Sequence, residues 1–348
     1  MYCSKTVFRC FRRIERFGDR VTGAAGRYFV IIAAVLIGLG TFTFFDVITP
    51  SLSYPWVTIP ICVLIAFNLH MHYFWVCTVP PGFLDVPPQQ PGSNFFWAKP
   101  RNSSRRSGIR GKPLTQGVQW SSSTQEIVIT RAAVMRCRKC GETKPERTHH
   151  CRICNRCVLK YDHHCPMLDL GINQCVGIYN ERHFVMFMIY LVLATSCFTA
   201  LGYPFMLQTL GLVDDNWDYY SPQALYMLMY ILSPVLGLCV FAMLLYHLSS
   251  IASGESSVEA HDHEVYKKLA KQRGEEFVNS YDVGRWKNFE YFFNIGPNGY
   301  PWTTLIFPYR IMPYTDGRSW ARKPGYEVHG GVRNGEELTD EDFDDEDD

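Results

Sequence analysis

Four long apolar runs divide an otherwise polar chain. They lie near positions 28–47, 56–79, 184–207 and 224–251. A bilayer core takes a helix of about 20 mostly apolar residues, while a helix buried in a soluble core needs only about 10–14. Each run continues well past the shorter length, so each is predicted to span a membrane. The second run carries Asn68, His70 and His72 as polar interruptions, and the two histidines are expected to be interfacial or packed polar residues rather than ligands. Cys62, Cys77, Cys197 and Cys239 fall in or beside the runs and are expected to serve as packing residues.

Charge gives these spans a direction. Segment 1–27 holds seven Lys and Arg, 79–183 holds sixteen and 252–348 holds eleven, which accounts for all 34 in the chain. The short loops near 48–55 and 208–223 hold none, and the second carries Asp214, Asp215 and Asp218. Basic residues collect on the cytosolic face, so both termini and the long loop between the second and third runs are predicted to be cytosolic. The net charge of +1 conceals this asymmetry. A cleavable signal peptide is not expected, because the first apolar run is long and follows a basic lead. No nucleic-acid partner is expected.

The sequence thus predicts an α-helical integral membrane protein. A cytosolic basic N-terminus (1–27) leads to helices one and two (28–79). A flexible cytosolic connector (80–134) rich in Pro, Gly, Ser and Gln follows, with a short strand expected at 126–130. A cysteine-rich module (135–183), helices three and four (184–251) and an aromatic cytosolic region (252–330) come next, the last expected to pack on the bundle mouth or lie on the membrane surface. The tail (331–348) has ten acidic residues among its last thirteen and is expected to be disordered. Cys3 and Cys10, beside the first span, are candidates for acylation.

The module carries the chemistry. Between Cys137 and Cys175, seven cysteines and four histidines fall within 39 residues. A cytosolic loop is reducing, so disulfides are not expected there. The CxxC pairs Cys137/Cys140, Cys151/Cys154 and Cys154/Cys157 point to tetrahedral zinc. Two four-coordinate sites would use eight of the eleven side chains and leave three over. Spacing alone does not give the pairing or the three that are spared, but Cys165, at the end of Asp162-His163-His164-Cys165, is a candidate nucleophile.

The motif Cys137-x2-Cys140-x3-Lys144-Pro145-x-Arg147-x2-His150-Cys151-x2-Cys154-x2-Cys157-x4-Asp162-His163-His164-Cys165-Pro166 resembles the DHHC protein S-acyltransferases, also called palmitoyltransferases. Cys175-Val176-Gly177-x2-Asn180-x3-Phe184 continues the likeness. Pro80-Pro81-Gly82, Ser256-Ser257-Val258-Glu259 and Asn279-x-Tyr281-x2-Gly284-x3-Asn288 are similar to further family segments. The resemblance covers most of 28–290 and includes four spans with a cytosolic double-zinc module between helices two and three. It implies one zinc on Cys137, Cys140, His150 and Cys157, and a second on Cys151, Cys154, His164 and Cys175. It also implies catalytic roles for Asp162, His163 and Cys165, and leaves His149 without a role.

On this resemblance the chain moves a long-chain fatty acyl group, palmitoyl above all, from acyl-coenzyme A to Cys165 as a thioester. From there it passes to cysteines of membrane-associated substrate proteins, beside their cytosolic membrane boundary. His163 acts as general base, Asp162 orients it, and both zincs are structural. Membrane lipid is a further expected partner. Arg136, Arg138, Lys139, Arg147, Arg152, Arg156 and Lys160 are candidates to meet coenzyme A phosphates or anionic lipid. The chain departs from the family at Met167, where a tryptophan is usual. Ten positions separate Cys165 from Cys175, more than the family's usual spacing, with the extra residues in 167–171. A catalytically impaired zinc scaffold is therefore the alternative reading. A RING-like ubiquitin ligase is disfavoured, because it needs neither the Asp-His-His-Cys run nor a spare thiol.

Overall fold

Apolar side chains facing outward mark the four long helices as membrane-capable. They are α1 (Tyr28–Ser51), α2 (Pro55–Thr78), α3 (Glu181–Thr209) and α4 (Gln223–Ala252). Val35 on α1 and Leu238 on α4 are exposed, as lipid-facing residues are. The computed structural model describes Gly26 and residues 28–101, 128–131, 134–165, 172–213, 216–297 and 299–333. Several expectations lie outside the described residues: those for the basic lead with Cys3 and Cys10, for Asp214 and Asp215, for the 167–171 segment and for the acidic tail. So does the connector from 102 to 127.

Local sequence sets the helix ends. Pro55 opens α2, where a missing N–H breaks no helical bond. Near its far end α1 widens into a π turn at Phe44–Ile48 and then tightens into a 3-10 turn at Thr49–Ser51. Pro60, Pro204 and Pro234 lie inside helices. α3 is the central helix: it packs against both α2 and α4, and half of its most apolar stretch is buried.

The module between α2 and α3 is built from very short antiparallel pairs. β2 (Val134–Arg136) pairs with β3 (Thr143–Pro145), and β4 (His149–Cys151) with β5 (Arg156–Val158). β6 (His163–Cys165) pairs with β7 (Gln174–Val176), setting His164 opposite Cys175 and Cys165 opposite Gln174. β1 (Val128–Arg131) pairs with the distant β8 (Ser319–Arg322). The strand expected at 126–130 thus runs Val128–Arg131 among the described residues.

Residues 80–101, which composition assigns to a flexible connector, are docked. The Leu84 N–H donates to Cys157 O (3.0 Å) and the Leu159 N–H to Gly82 O (2.8 Å). Gly82 has φ +109°, and a Cβ there would sit 2.7 Å from Ile178, so only glycine fits the turn. Further on, the Arg310 N–H donates to Phe96 O (2.7 Å). Composition reports turn-formers, and turn-formers are also what a chain needs to fold back tightly onto a neighbour.

The C-terminal region packs against the helices at the end that carries the cysteine-rich module. α5 (Ser257–Gln272) follows α4 after a four-residue turn, and α6 (Arg285–Phe293) comes next. Asn288 donates to Ala252 O at the end of α4 (2.8 Å). A buried polar belt then draws in segment 304–309. Asn68 donates to Ile306 O (2.7 Å), Arg182 to Thr304 O (2.5 Å) and the Tyr190 hydroxyl to Leu305 O (2.9 Å). His72 lies in this belt with its Nδ1 3.1 Å from that of His183, a packed polar residue as its sequence setting predicts.

Candidate active site and metal-ligand clusters

The short hairpins bring the cysteines and histidines into two groups of four. Cys137, Cys140, His150 and Cys157 form one, and Cys151, Cys154, His164 and Cys175 the other, with ligand atoms in each within 4.8 Å of one another. In the first, Cys140 and Cys157 sulfurs are 3.5 Å apart, and His150 Nδ1 lies 3.7 Å from Cys137 and 3.8 Å from Cys157. In the second, His164 Nδ1 lies 3.4–3.5 Å from all three sulfurs, and Cys154 and Cys175 are 3.4 Å apart. These cysteines are all free, and the separations far exceed a disulfide bond of about 2.0 Å. A tetrahedral zinc with ligands about 2.0–2.3 Å away sets those ligands roughly 3.4–3.8 Å apart. Both groups therefore fit zinc, and the ligand sets are those the family resemblance implies.

Cys175 joins its group despite the long approach from Cys165. The β6–β7 pairing sets it directly across from His164, and residues 167–171 fall between the two strands in the sequence.

Beside the second group stands a proton network. Asp162 is buried, and each of its oxygens is held. Oδ1 accepts from the Ser257 N–H (2.6 Å), and Oδ2 contacts His163 Nδ1 (2.7 Å). The other face of the network is the Cys165 thiol, which is hydrogen-bonded to the His163 side chain. Burial would raise the Asp162 carboxyl, but the His163 contact outweighs it and holds the group well below the usual carboxylate range. Burial would lower the His163 ring, yet Asp162 and Cys165 push it up to about 10. An imidazole set between a carboxylate and a thiol has the geometry that a general base requires.

The Ser256-Ser257-Val258-Glu259 motif supplies the Asp162 anchor. Ser256 caps α5 with a reciprocal capping box to Glu259, which aims the free first-turn N–H groups outward. The Asp162 charge thus sits at the positive end of a helix. Glu259 is tied to Arg147 (2.5 and 2.6 Å), and the Arg147 guanidinium lies over Tyr281 (4.2 Å) and Trp320 (4.5 Å). Burial would raise the Glu259 carboxyl, but Arg147 brings it down to about 2.

Several candidate residues have other work. Arg147, Arg156 and Lys160 are paired with Glu259, Asp85 and Glu181. Arg136 donates to Gly141 O. Arg138, Lys139 and Arg152 are exposed on the module. His149 packs beside Tyr161 and belongs to neither metal group.

The four long helices surround an apolar space. A cavity of about 320 Å³ opens between the four long helices, lined among others by Phe29 and Gly40 from α1, Cys62 and Leu69 from α2, Phe187 and Phe198 from α3, and Met229 and Leu236 from α4. Leu69, Phe187 and Leu191 of its wall belong to the same core cluster as Cys165, which also includes Tyr73, Val76 and Phe184.

One contributor escaped the sequence reading. His247 of α4 brings its Nδ1 to 3.7 Å from Asp162 Oδ2. An ionisable side chain inside an apolar run is the signal that could have flagged it.

A family model for the DHHC palmitoyltransferases matches residues 134–264. Those residues hold both ligand groups, Asp162 with strand β6, α3, α4 and the start of α5. The chain is 31% identical to the probable protein S-acyltransferase 14 of Arabidopsis thaliana, over 77% of this chain and 79% of that protein. It is 32% identical to the probable protein S-acyltransferase 15 of the same plant, over 56% of this chain and 71% of that one. To the palmitoyltransferase ZDHHC16A of Danio rerio it is 26% identical, over 53% of this chain and 58% of that one.

Proposed function

Because this chain belongs to the DHHC palmitoyltransferase family of protein S-acyltransferases, we propose that Cys165 is its nucleophile and carries the acyl group as a thioester. The observation that carries this reading is the Asp162–His163–Cys165 network, with Cys165 in the same apolar core cluster as Leu69, Phe187 and Leu191 of the inter-helix cavity wall. The donor is acyl-coenzyme A. His163 takes the Cys165 proton, and the thiolate attacks the donor's thioester carbonyl. The new bond forms from Cys165 sulfur to the acyl carbon, the bond to coenzyme A sulfur breaks, and the departing thiolate recovers the proton from His163. A substrate cysteine then gives its proton to His163 and attacks the Cys165 thioester, and Cys165 is released. Both steps exchange one thioester for another, so neither is strongly uphill.

The rest of the molecule is assigned to match. The cavity takes the fatty chain, with each buried methylene contributing about 0.8 kcal/mol. Zinc is held by Cys137, Cys140, His150 and Cys157, and by Cys151, Cys154, His164 and Cys175. With four protein ligands each, both sites are structural and brace the hairpins that carry Asp162, His163 and Cys165. Arg138, Lys139 and Arg152 offer positive charge to coenzyme A phosphates or anionic headgroups. Both termini and the module face the cytosol, as the basic residues indicate, and substrate proteins present cysteines at the same membrane boundary. The intact network supports an active enzyme over an inert scaffold. In detergent with labelled palmitoyl-coenzyme A, the purified protein acquires a hydroxylamine-labile label. Cys165→Ser abolishes it with both zincs still bound. Label persisting in Cys165→Ser would overturn the nucleophile assignment, and an unlabelled parent with its zinc in place would favour the scaffold.

A further inference from the structure

Asp162 is contacted from three directions, and family and motif account for two of them. The Ser257 N–H comes from the cytosolic helix α5, and His163 follows Asp162 in the chain. The third is His247, five residues before the end of α4, with its side chain about nine-tenths buried. Its Nδ1 faces the oxygen that His163 uses, at 3.7 Å. That is longer than a hydrogen bond, so a movement of less than an ångström brings the second imidazole onto the carboxylate.

The same ring also bounds His163 sterically. Ring centroids of His163, Phe184 and His247 form a closed triangle with sides of 5.1, 5.6 and 5.1 Å, and Phe184 meets both imidazoles edge-on. Packing alone would be served by a second phenylalanine at position 247. A polar ring within a membrane span is costly unless it has a partner, and here its polar edge is turned to Asp162. The ligand atoms of Asp162, His163 and His247 lie within 4.8 Å of one another, but the Asp162–His163 contact is already a hydrogen bond. The triad is therefore a proton network rather than a third metal centre.

We infer that His247 is a positioning residue for acyl transfer. By holding Asp162 Oδ2 from the membrane side, it fixes the carboxylate plane, hence the tautomer and tilt of His163, hence the approach of His163 to Cys165. It touches neither the thiol nor the acyl group. Its contribution ties the cytosolic module to the helix bundle, so that the network is complete only when β6 is seated on α4. This inference rests on the acyl-transfer reading above.

The test compares full-length wild type with His247→Phe and His247→Gln in single-turnover acylation by palmitoyl-coenzyme A, with zinc content and thermal stability measured alongside. Phenylalanine keeps the ring packing and removes the polar edge, while glutamine restores an N–H toward Asp162. In His247→Phe the zinc content, melting temperature and palmitoyl-coenzyme A concentration for half-maximal rate stay as in wild type, and the limiting rate falls roughly tenfold to a hundredfold. His247→Gln recovers most of that loss. The inference is overturned by a His247→Phe rate equal to wild type, by zinc or stability lost in step with the rate, or by glutamine no faster than phenylalanine. An unlabelled wild type overturns the acyl-transfer reading, and this inference with it. A labelled wild type beside an equally fast His247→Phe overturns this inference alone.

Discussion

Asp162 illustrates how few groups decide the chemistry. Its carboxylate is buried, held at one oxygen by the α5 N-terminus and at the other by His163. Asp162→Asn keeps the shape and removes the charge that orients and charges His163. Single-turnover acylation of the purified variant is expected to fall by roughly 10²–10⁴-fold, with both zincs retained. Glu259 offers a separate test of buried electrostatics. Its folded value is about 2 against an ordinary 4.5, so the Arg147 pair adds stability that is complete above about pH 5 and disappears as pH falls toward 2. Glu259→Gln leaves Arg147 buried without its partner charge and costs about 3 kcal/mol at neutral pH. Thermal unfolding in detergent should show that gap narrowing as pH drops from 5 to 3, because over that range the unfolded glutamate takes up a proton that the folded one, held at about 2, does not.

At the scale of elements, sequence and structure agree unevenly, for physical reasons. The four spans were legible because about 20 apolar residues in a row have one economical solution in a bilayer. The ligand groups were legible only through the family motif. CxxC spacing announces zinc but leaves the pairing open, and strands of three residues are too short to show alternation. The docking of residues 80–101 was hidden, because its partners Cys157, Leu159 and Arg310 are remote in sequence. His247 was hidden for a similar reason: one histidine in an apolar run acquires meaning only when β6 folds against α4. The β2–β3 hairpin is three residues a strand and carries two of the four ligands of its group. Cys140→Ala should therefore lower bound zinc below two per chain and reduce the yield of folded protein, measured by metal analysis after size-exclusion chromatography. A normal yield with two zincs bound would contradict the structural role of that group.

For the whole molecule, the arrangement joins a small hairpin module to an apolar cavity between spans, with Cys165 in the core cluster that includes part of the cavity wall. On the proposal that this cavity takes the fatty chain, acyl-chain preference belongs to the bundle rather than to the module. Gly40 lines the cavity, and a Cβ built there meets nothing within 4 Å. Gly40→Leu should fill part of the space and move preference from palmitoyl- toward myristoyl-coenzyme A. Two methylenes at about 0.8 kcal/mol each correspond to a shift of roughly tenfold in the competition ratio. The central claim is that the acyl group rests on Cys165 during turnover. The most direct measurement is peptide mapping by mass spectrometry, after brief incubation of the full-length protein with palmitoyl-coenzyme A and no protein substrate. The account predicts one dominant, hydroxylamine-labile palmitoyl adduct on the peptide containing Cys165, absent in Cys165→Ser. An adduct found mainly on another cysteine, or none on Cys165 while both zincs remain bound, would contradict it.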